Sequence, residues 1–503
     1  VGASATLDFR GNHTFDASSS LSGAGTVDFG SGTATITCTY EVTGTTSVSG
    51  ATANFNIHPT SVGNTLTVSS GAANFNVAGT IGVTTVTLSS GTLNLTPDLD
   101  VTTYNQSGGT LDGSSTVTVS GVLTWSGGYM KGSGTTNANG GLILNGSNRT
   151  LRQRTLNNPS TATWTGGNIS LYNGATINNS GTWDVQTQTN ASLDHVGGSV
   201  STFNNSGIFQ KTSGSGNTWA EVKFNNSGSV DVQVGMLDLG FFDMNFPGDS
   251  TCTGGNFTVG ASATLDFRGN HTFDASSSLS GAGILRFLHD LTVNSGGVLD
   301  IDKGTSLTVD GTLTNNGTMK QTQTVNASTV EFLHITNSGG GTDKYRGVII
   351  DTSSNMGDTT VSVHGNQNCP NGNGNTVKRC YEISPTISAT SVITFYYLDS
   401  EANGNIEPNV YHWNGSGWDQ QTFDSRYTSG DPNWVCASDI SSYSPFALGD
   451  SPPTAVTLSS FTAKSGAGLG TSLVWPWLVR VAALVIGGVL WARKRWSTRG
   501  NFK

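Results

Sequence analysis

TLTVSSGAANFNVAGTIGVTTVTLSSGTLNL, residues 65–95, decides the fold. Thr65-Leu66-Thr67-Val68 and Thr85-Val86-Thr87-Leu88 lie 20 positions apart and alternate small polar with apolar residues. That period of two puts Leu66, Val68, Val86 and Leu88 on one side of their strands. Ser-Ser-Gly follows each run, where the chain has to turn with φ > 0. The step extends in both directions. Ala53-Asn54-Phe55-Asn56, Ala73-Asn74-Phe75-Asn76 and Leu93-Asn94-Leu95-Thr96 are each 20 apart, and the motifs at 109–112 and 128–131 follow at about 19. Trp125-Ser126-Gly127-Gly128 is echoed two steps on by Trp164-Thr165-Gly166-Gly167, and Asn-Asn-Ser-Gly recurs at 178–181, 204–207 and 225–228. A period near 20 without a helical pattern marks a coiled β-solenoid. Asn at equivalent positions is expected to stack on itself from coil to coil, its amide donating on one side and accepting on the other.

A longer repeat encloses the short one. VGASATLDFRGNHTFDASSSLSGAG at 1–25 returns letter for letter at 259–283, a unit of 258 residues with the second copy starting at 259. With no initiator Met and no signal peptide, the chain is expected to begin inside a unit. Residues 1–337 are predicted to form about 17 coils stacked about 4.8 Å apart, a rod of roughly 80 Å.

Composition fits a thin, repetitive core. Charged residues make up 11% of 503, and 67 Gly contrast with 12 Pro, which would remove ladder donors. The net charge of −10 disfavours nucleic acid as a partner. After residue 337 the pattern changes. YRGVIID, TTVSVHG, SVITFYYLDS, NVYHWNGSGWDQQTF and SPFALGD read as aromatic-rich strands between Gly/Asn/Pro turns, a small antiparallel β-sandwich over 338–450. Residues 451–472 read as a linker.

Leu473–Ala492 is 20 residues of mostly apolar sequence, long enough to span a bilayer as a helix. Trp475, Trp477 and Trp491 sit near its ends, and Arg493, Lys494 and Arg495 open a basic tail over 493–503. That pattern predicts a transmembrane anchor with the N-terminus outside, despite Arg480 within the span. The expected fold class is therefore all-β: a right-handed parallel β-helix, then a small antiparallel sandwich, then one C-terminal transmembrane helix.

The run ATLDFRGNHTFDASSSLSGAGTVDF, the Trp-Ser/Thr-Gly-Gly pairs and ATINNSGTWDV resemble bacterial cell-surface parallel β-helix repeats of the adhesin or autotransporter-passenger type. The resemblance covers roughly the first two-thirds of the chain. It implies an exterior right-handed parallel β-helix used for adhesion or as a stalk. The C-terminus is similar to bacterial sorting signals, but it carries neither LPxTG nor Pro-Glu-Pro before the span.

Candidate chemistry is sparse. GxSxG, HExxH and P-loop motifs are absent from the sequence. Arg149, Arg152 and Arg154 form a basic cluster that reads as a solvated edge, with contact to an anionic glycan as the functional alternative. Arg152 and Arg154, two apart, would share a face if extended. Asp194-His195 offers an acid/base pair or an ordinary loop histidine. Asp399, Glu401, Asn403 and Asn405 sit at positions 1, 3, 5 and 7 of a loop with Gly404 at 6, the opening of a calcium loop. Val410 stands where the closing acid belongs, so a polar hairpin tip is the plainer reading. Trp413 and Trp418 suit either a sugar platform or sandwich packing. Cys369 and Cys380 flank CPNGNGNTVKRC, a loop that a disulfide could close, whereas Cys38 and Cys252 read as isolated. The expectation is a non-enzymatic, membrane-anchored, extracellular structural or adhesion protein without a cofactor, calcium at the loop above being the exception allowed, its partners being the membrane and either glycans or other cell-surface ligands. The alternative is a carbohydrate-active β-helix enzyme or a glycan-binding protein.

Overall fold

The computed structural model describes residues 1–240, 250–252 and 254–455. From residue 1 to about residue 320 the chain winds as a parallel β-solenoid of the right-handed type, about 15 coils long. Each coil has three faces. In one coil the first face is Thr65–Val68, the second Ala72–Phe75, and the third is residues 80–83 of the strand Thr80–Leu88, which turns a corner into the next coil. Thr65 lies in register with Thr85 and Leu66 with Val86, while Phe55, Phe75 and Leu95 stack on the second face. The 20-residue step of the sequence is therefore the length of one coil.

Most four-residue strands alternate half-buried and fully buried positions, and the buried ones build one continuous core. Equivalent side chains lie on one another. The rings of Phe55 and Phe75 stack with centroids 4.4 Å apart, and those of Phe267 and Phe287 at 4.2 Å. Burying a side chain of this size contributes about 1.5–3 kcal/mol. The corners are as tight as the core. At Gly71 (φ 72°) a Cβ would come within 2.1 Å of the Ala51 carbonyl oxygen, so neither the conformation nor the space admits another residue.

Two asparagine ladders cross the middle coils. Inside, Asn158 donates to Asn179 (2.7 Å), Asn179 to Asn205 (2.7 Å) and Asn205 to Asn226 (2.8 Å). The second N–H of these amides donates to a backbone carbonyl of the next coil, as Asn179 does to Ile208 at 2.9 Å. Outside, Asn225 donates to Asn204, Asn204 to Asn178, Asn178 to Asn157 and Asn157 to Asn137, all at 2.7–2.9 Å. The two ladders run in opposite directions, so their amide dipoles oppose each other.

The identical 25-residue segments occupy different faces. In the first copy Thr6–Phe9 pairs with Thr26–Phe29 on the first face, and His13–Phe15 lies on the second. In the second copy Ala263–Phe267 lies on the second face, between Gly235–Leu239 and Ile284–Phe287, and His271–Phe273 on the third. The 258-residue unit is not a whole number of coils; it advances the segment by one face. Leu7, in the first coil of the sequence, is 39% exposed, whereas its twin Leu265 is fully covered.

The strand Thr318–Asn326 ends the solenoid. Residues 318–321 pair in parallel with Val298–Ile301, and the whole strand pairs antiparallel with Asn355–Gly365. That strand opens an antiparallel module of two sheets. One continues the solenoid sheet through Thr376–Pro385, Phe446–Gly449, Asn409–Trp413 and Trp418–Gln420. The other holds Thr329–Phe332, Val348–Asp351, Ser391–Tyr397, Asn433–Ile440 and Thr422–Tyr427. Phe395 links them, 5.1 Å from Tyr381 and 5.2 Å from Phe446. Solenoid and module share one core.

Two expectations are corrected. The solenoid has about 15 coils, not 17, because coils lengthen after residue 170; the inner ladder steps by 21 residues from Asn158 to Asn179 but by 26 from Asn179 to Asn205. Near the predicted end at 337, Thr329–Phe332 pairs within the antiparallel module, while Ile335–Thr336 still adds to the second face, Thr336 opposite Thr308. The fold class with a closing transmembrane helix is likewise corrected. Among the described residues no helix is long and apolar enough to cross a membrane, and the helical element is one 3-10 turn, Asp399–Glu401. The stretch 473–492, with Trp475, Trp477 and Trp491, and the tail with Arg493, Lys494 and Arg495 lie outside the described residues.

The inner ladder should be worth more than the outer one. Asn205→Ala leaves two buried amides short of a partner and should cost about 2–4 kcal/mol, while Asn204→Ala outside should cost under about 1 kcal/mol. Equal shifts of the two urea midpoints would sink this reading. Leu66→Asp, which buries a lone charge between coils, should exceed about 4 kcal/mol.

Candidate functional site

The second face carries a dense run of outward charge. Its strands begin with an amide stack, Asn74 donating to Asn54 at 2.9 Å. A cationic and aromatic stretch follows: Tyr129 and Lys131 on Gly128–Lys131, Arg152 on Arg149–Arg152 and Tyr172 on Ile169–Tyr172. These four side chains, with Thr110 and Thr150, line an open groove of about 460 Å³. Lys131 also pairs with Asp112 at 3.1 Å.

Farther along, the same face turns acidic. Asp194 is the register partner of Glu221, and Asp238 of Asp266. Arg268 reaches Asp238 at 2.7 Å and Glu221 at 3.8 Å, and Arg286 reaches Asp266 at 2.5 Å. The carboxylates of Asp238 and Asp266 are 1% and 4% exposed, so solvent meets chiefly Asp194 and Glu221. Burial pushes the Asp238 carboxyl up to about 7 against the pull of Arg268, and Asp266 and Glu221 add to the push. Burial also raises Asp194, against a 2.5 Å hydrogen bond from Ser192.

The predicted arginine cluster divides. Arg152 is outward, but Arg149 and Arg154 are 1% and 0% exposed, which corrects the solvated-edge reading for both. Gln153 adopts φ 60°, so the chain bends between Arg152 and Arg154 and the two do not share a face. Arg149 lies 6.0 Å from the Trp125 ring and donates to the carbonyls of Asn145, Ser147 and Gly166. Arg154 donates to Thr136 Oγ1 and to the carbonyls of Gly113, Lys131, Ser115 and Thr135. Burial lowers both guanidinium groups to about 10.

Asp194 and His195 do not form an acid/base pair. They lie on opposite sides of the strand Ala191–Gly197, with the His195 ring inward and its Nδ1 3.2 Å from Ser201. The calcium-loop reading is also corrected, because its oxygens do not converge. Glu401 turns inward onto Arg379 at 2.7 Å and Asp399 accepts from Asn433 at 2.6 Å. Asn403 donates to the Thr376 carbonyl, and Asn405 accepts from the Asp450 amide. Cys369 and Cys380 form a disulfide, while Cys38 and Cys436 are buried and free. Trp413 and Trp418 are half-buried with centroids 5.5 Å apart, and Trp418 packs on that disulfide.

Glu221, Asp238, Asp266, Arg268 and Arg286 escaped the sequence reading. The signal was present: Asp266 and Arg286 are 20 residues apart, one coil. No family model matches the chain, and neither a curated protein nor a solved structure matches it.

Arg154→Ala should lower stability by about 2–4 kcal/mol, since carbonyls of two coils lose a charged donor, whereas Arg152→Ala should stay within about 0.5 kcal/mol. Similar urea midpoints for the two variants would contradict this placement. Asp238 adds a pH dependence. Its folded value near 7 exceeds the unfolded value near 4, so the folded state binds more protons between them. Its contribution should therefore fall as pH rises from about 4 to about 7 and stay level above, a loss on the order of 2–4 kcal/mol. Asp238→Asn should flatten that slope; parallel stability–pH curves for variant and wild type would refute it.

Proposed function

We propose that this protein is a non-enzymatic, exported surface scaffold whose stacked coils hold a repeated polar surface outward for multivalent contact. The observation that supports it is the coil stack itself: about 15 coils in register, fixed by side-chain ladders and a continuous core, about 70 Å of stiff support. Such a ladder lets individually weak contacts add through avidity. The Cys369–Cys380 disulfide suits an oxidising exterior. Away from the charged run of the second face, the outward Thr, Ser and Asn columns offer hydrogen bonds with little charge, which fits adhesion to cell-surface glycans better than binding to nucleic acid.

One observation favours a second reading, cleavage of a polysaccharide. Asp194 and Glu221 are neighbours on adjacent coils, within reach of solvent, and Asp194 is held above the usual carboxylate range. Two tests separate the readings. As a scaffold, the full chain should release no reducing ends or unsaturated sugars from a panel of polysaccharides. Turnover that disappears in Asp194→Asn/Glu221→Gln would replace the scaffold with an enzyme. A scaffold should also tolerate removal of one coil in register. Deleting residues 66–85 joins Thr65 to Val86 and should leave a cooperatively folded chain, whereas deleting ten residues should not.

A further inference from the structure

We propose that Tyr129, Lys131, Arg152 and Tyr172 form the binding groove for an acidic polysaccharide whose sugars carry carboxylates. The proposal deepens the scaffold reading, on which it rests, by naming the surface and its partner. Charge is the first argument. Lys131 and Arg152 are direct register partners on adjacent strands, where like charges repel. Asp112 offsets Lys131 at 3.1 Å, but among the described residues no carboxylate lies within ion-pair distance of Arg152. Its guanidinium lies instead 3.1 Å from the carboxamide of Asn173. In a chain of net charge −10, two facing cations that share a single carboxylate, Asp112, are suited to an anion from outside. The guanidinium fork takes a carboxylate bidentately, and the ammonium adds a point charge beside it.

Shape is the second argument. The groove is open along a flat sheet and is not a closed pocket, so it suits an extended polymer. Tyr129 is 55% exposed, and Tyr172 stands in register with Arg152 two coils beyond Tyr129's strand-mate position. Tyr129, beside Lys131 on its strand, and Tyr172, one coil beyond Arg152, give apolar surface for the face of a sugar ring. Thr110 and Thr150 add hydroxyls to the lining. A charge-only site would have no use for an exposed ring at Tyr129 and a half-buried one at Tyr172.

The test uses the full chain, immobilised, with polygalacturonate as the probe at physiological salt. Poly-L-glutamate, dextran sulfate and neutral dextran serve as comparisons. Polygalacturonate should bind and the other three should bind at least tenfold more weakly. Lys131→Gln/Arg152→Gln should weaken polygalacturonate binding at least tenfold and Tyr129→Ala at least threefold, with unfolding midpoints unchanged because these side chains are outward. Arg152→Lys should retain part of the affinity. Equal binding of poly-L-glutamate would overturn the sugar, equal binding of dextran sulfate would overturn the carboxylate, and wild-type binding by the groove variants would overturn the site. These failures leave the scaffold reading standing, since that reading falls instead on turnover of polysaccharide or on collapse of the coil-deleted chain.

Discussion

In-register parallel pairing is the constraint on which the rest depends. Each coil must bring every strand back above its predecessor, about 4.8 Å away, so each side chain sits on its own equivalent. Columns of like residues follow. Apolar columns gain from this, as the stacked rings of Phe203 and Phe224 do. Asn gains too, because an amide carries both a donor and an acceptor and so complements itself. A charge does not complement itself. The low content of charged residues is therefore a consequence of the architecture. Several charges that do occur in columns pair with the opposite sign one coil on, as in Asp266–Arg286, Asp300–Lys320 and Asp112–Lys131, whereas Lys131–Arg152 and Asp238–Asp266 set like charges face to face.

The same constraint makes the three faces interchangeable. A face asks only for about four residues of polar/apolar alternation and a small corner residue. The 25-residue segment meets that demand twice, on the first face at one site and on the second at the other. Its polar residues then find different partners. Asp8 pairs with Arg10 in the first copy, whereas in the second the equivalent Asp266 meets Arg286 and Arg268 meets Asp238. Local sequence therefore sets the coil, and the coils above and below set the electrostatics.

This explains what the sequence made legible. The coil length, the inward columns of Leu66 and Val86 and the asparagine stacking follow from a period that the letters display. The site did not, because its members are neighbours only through that period. Glu221, Asp238 and Asp266 look scattered in the chain, and their coils are long and uneven, so no fixed step aligns all three. Arg152 and Arg154 misled for the opposite reason: they are close in sequence, but Gln153 at positive φ sends them to opposite sides of the wall. Asp399, Glu401, Asn403 and Asn405 had suitable spacing, yet the buried Arg379 claims Glu401.

The buried and exposed arginines nevertheless belong to one structure. Arg154 makes no ion pair among the described residues and is held by carbonyls and a hydroxyl from two coils, so it acts as a cross-brace at a corner. One of those carbonyls is that of Lys131, and another that of Thr135, on the strand that follows. The brace therefore fixes the backbone that carries Lys131, while Arg152, two residues before it, stands on the outer surface beside the same lysine. Two facing cations would otherwise drift apart along flexible stems. Anchoring the backbone beneath them limits that escape and keeps both charges on one short stretch of the second face, so less ordering remains to be done when an anion arrives.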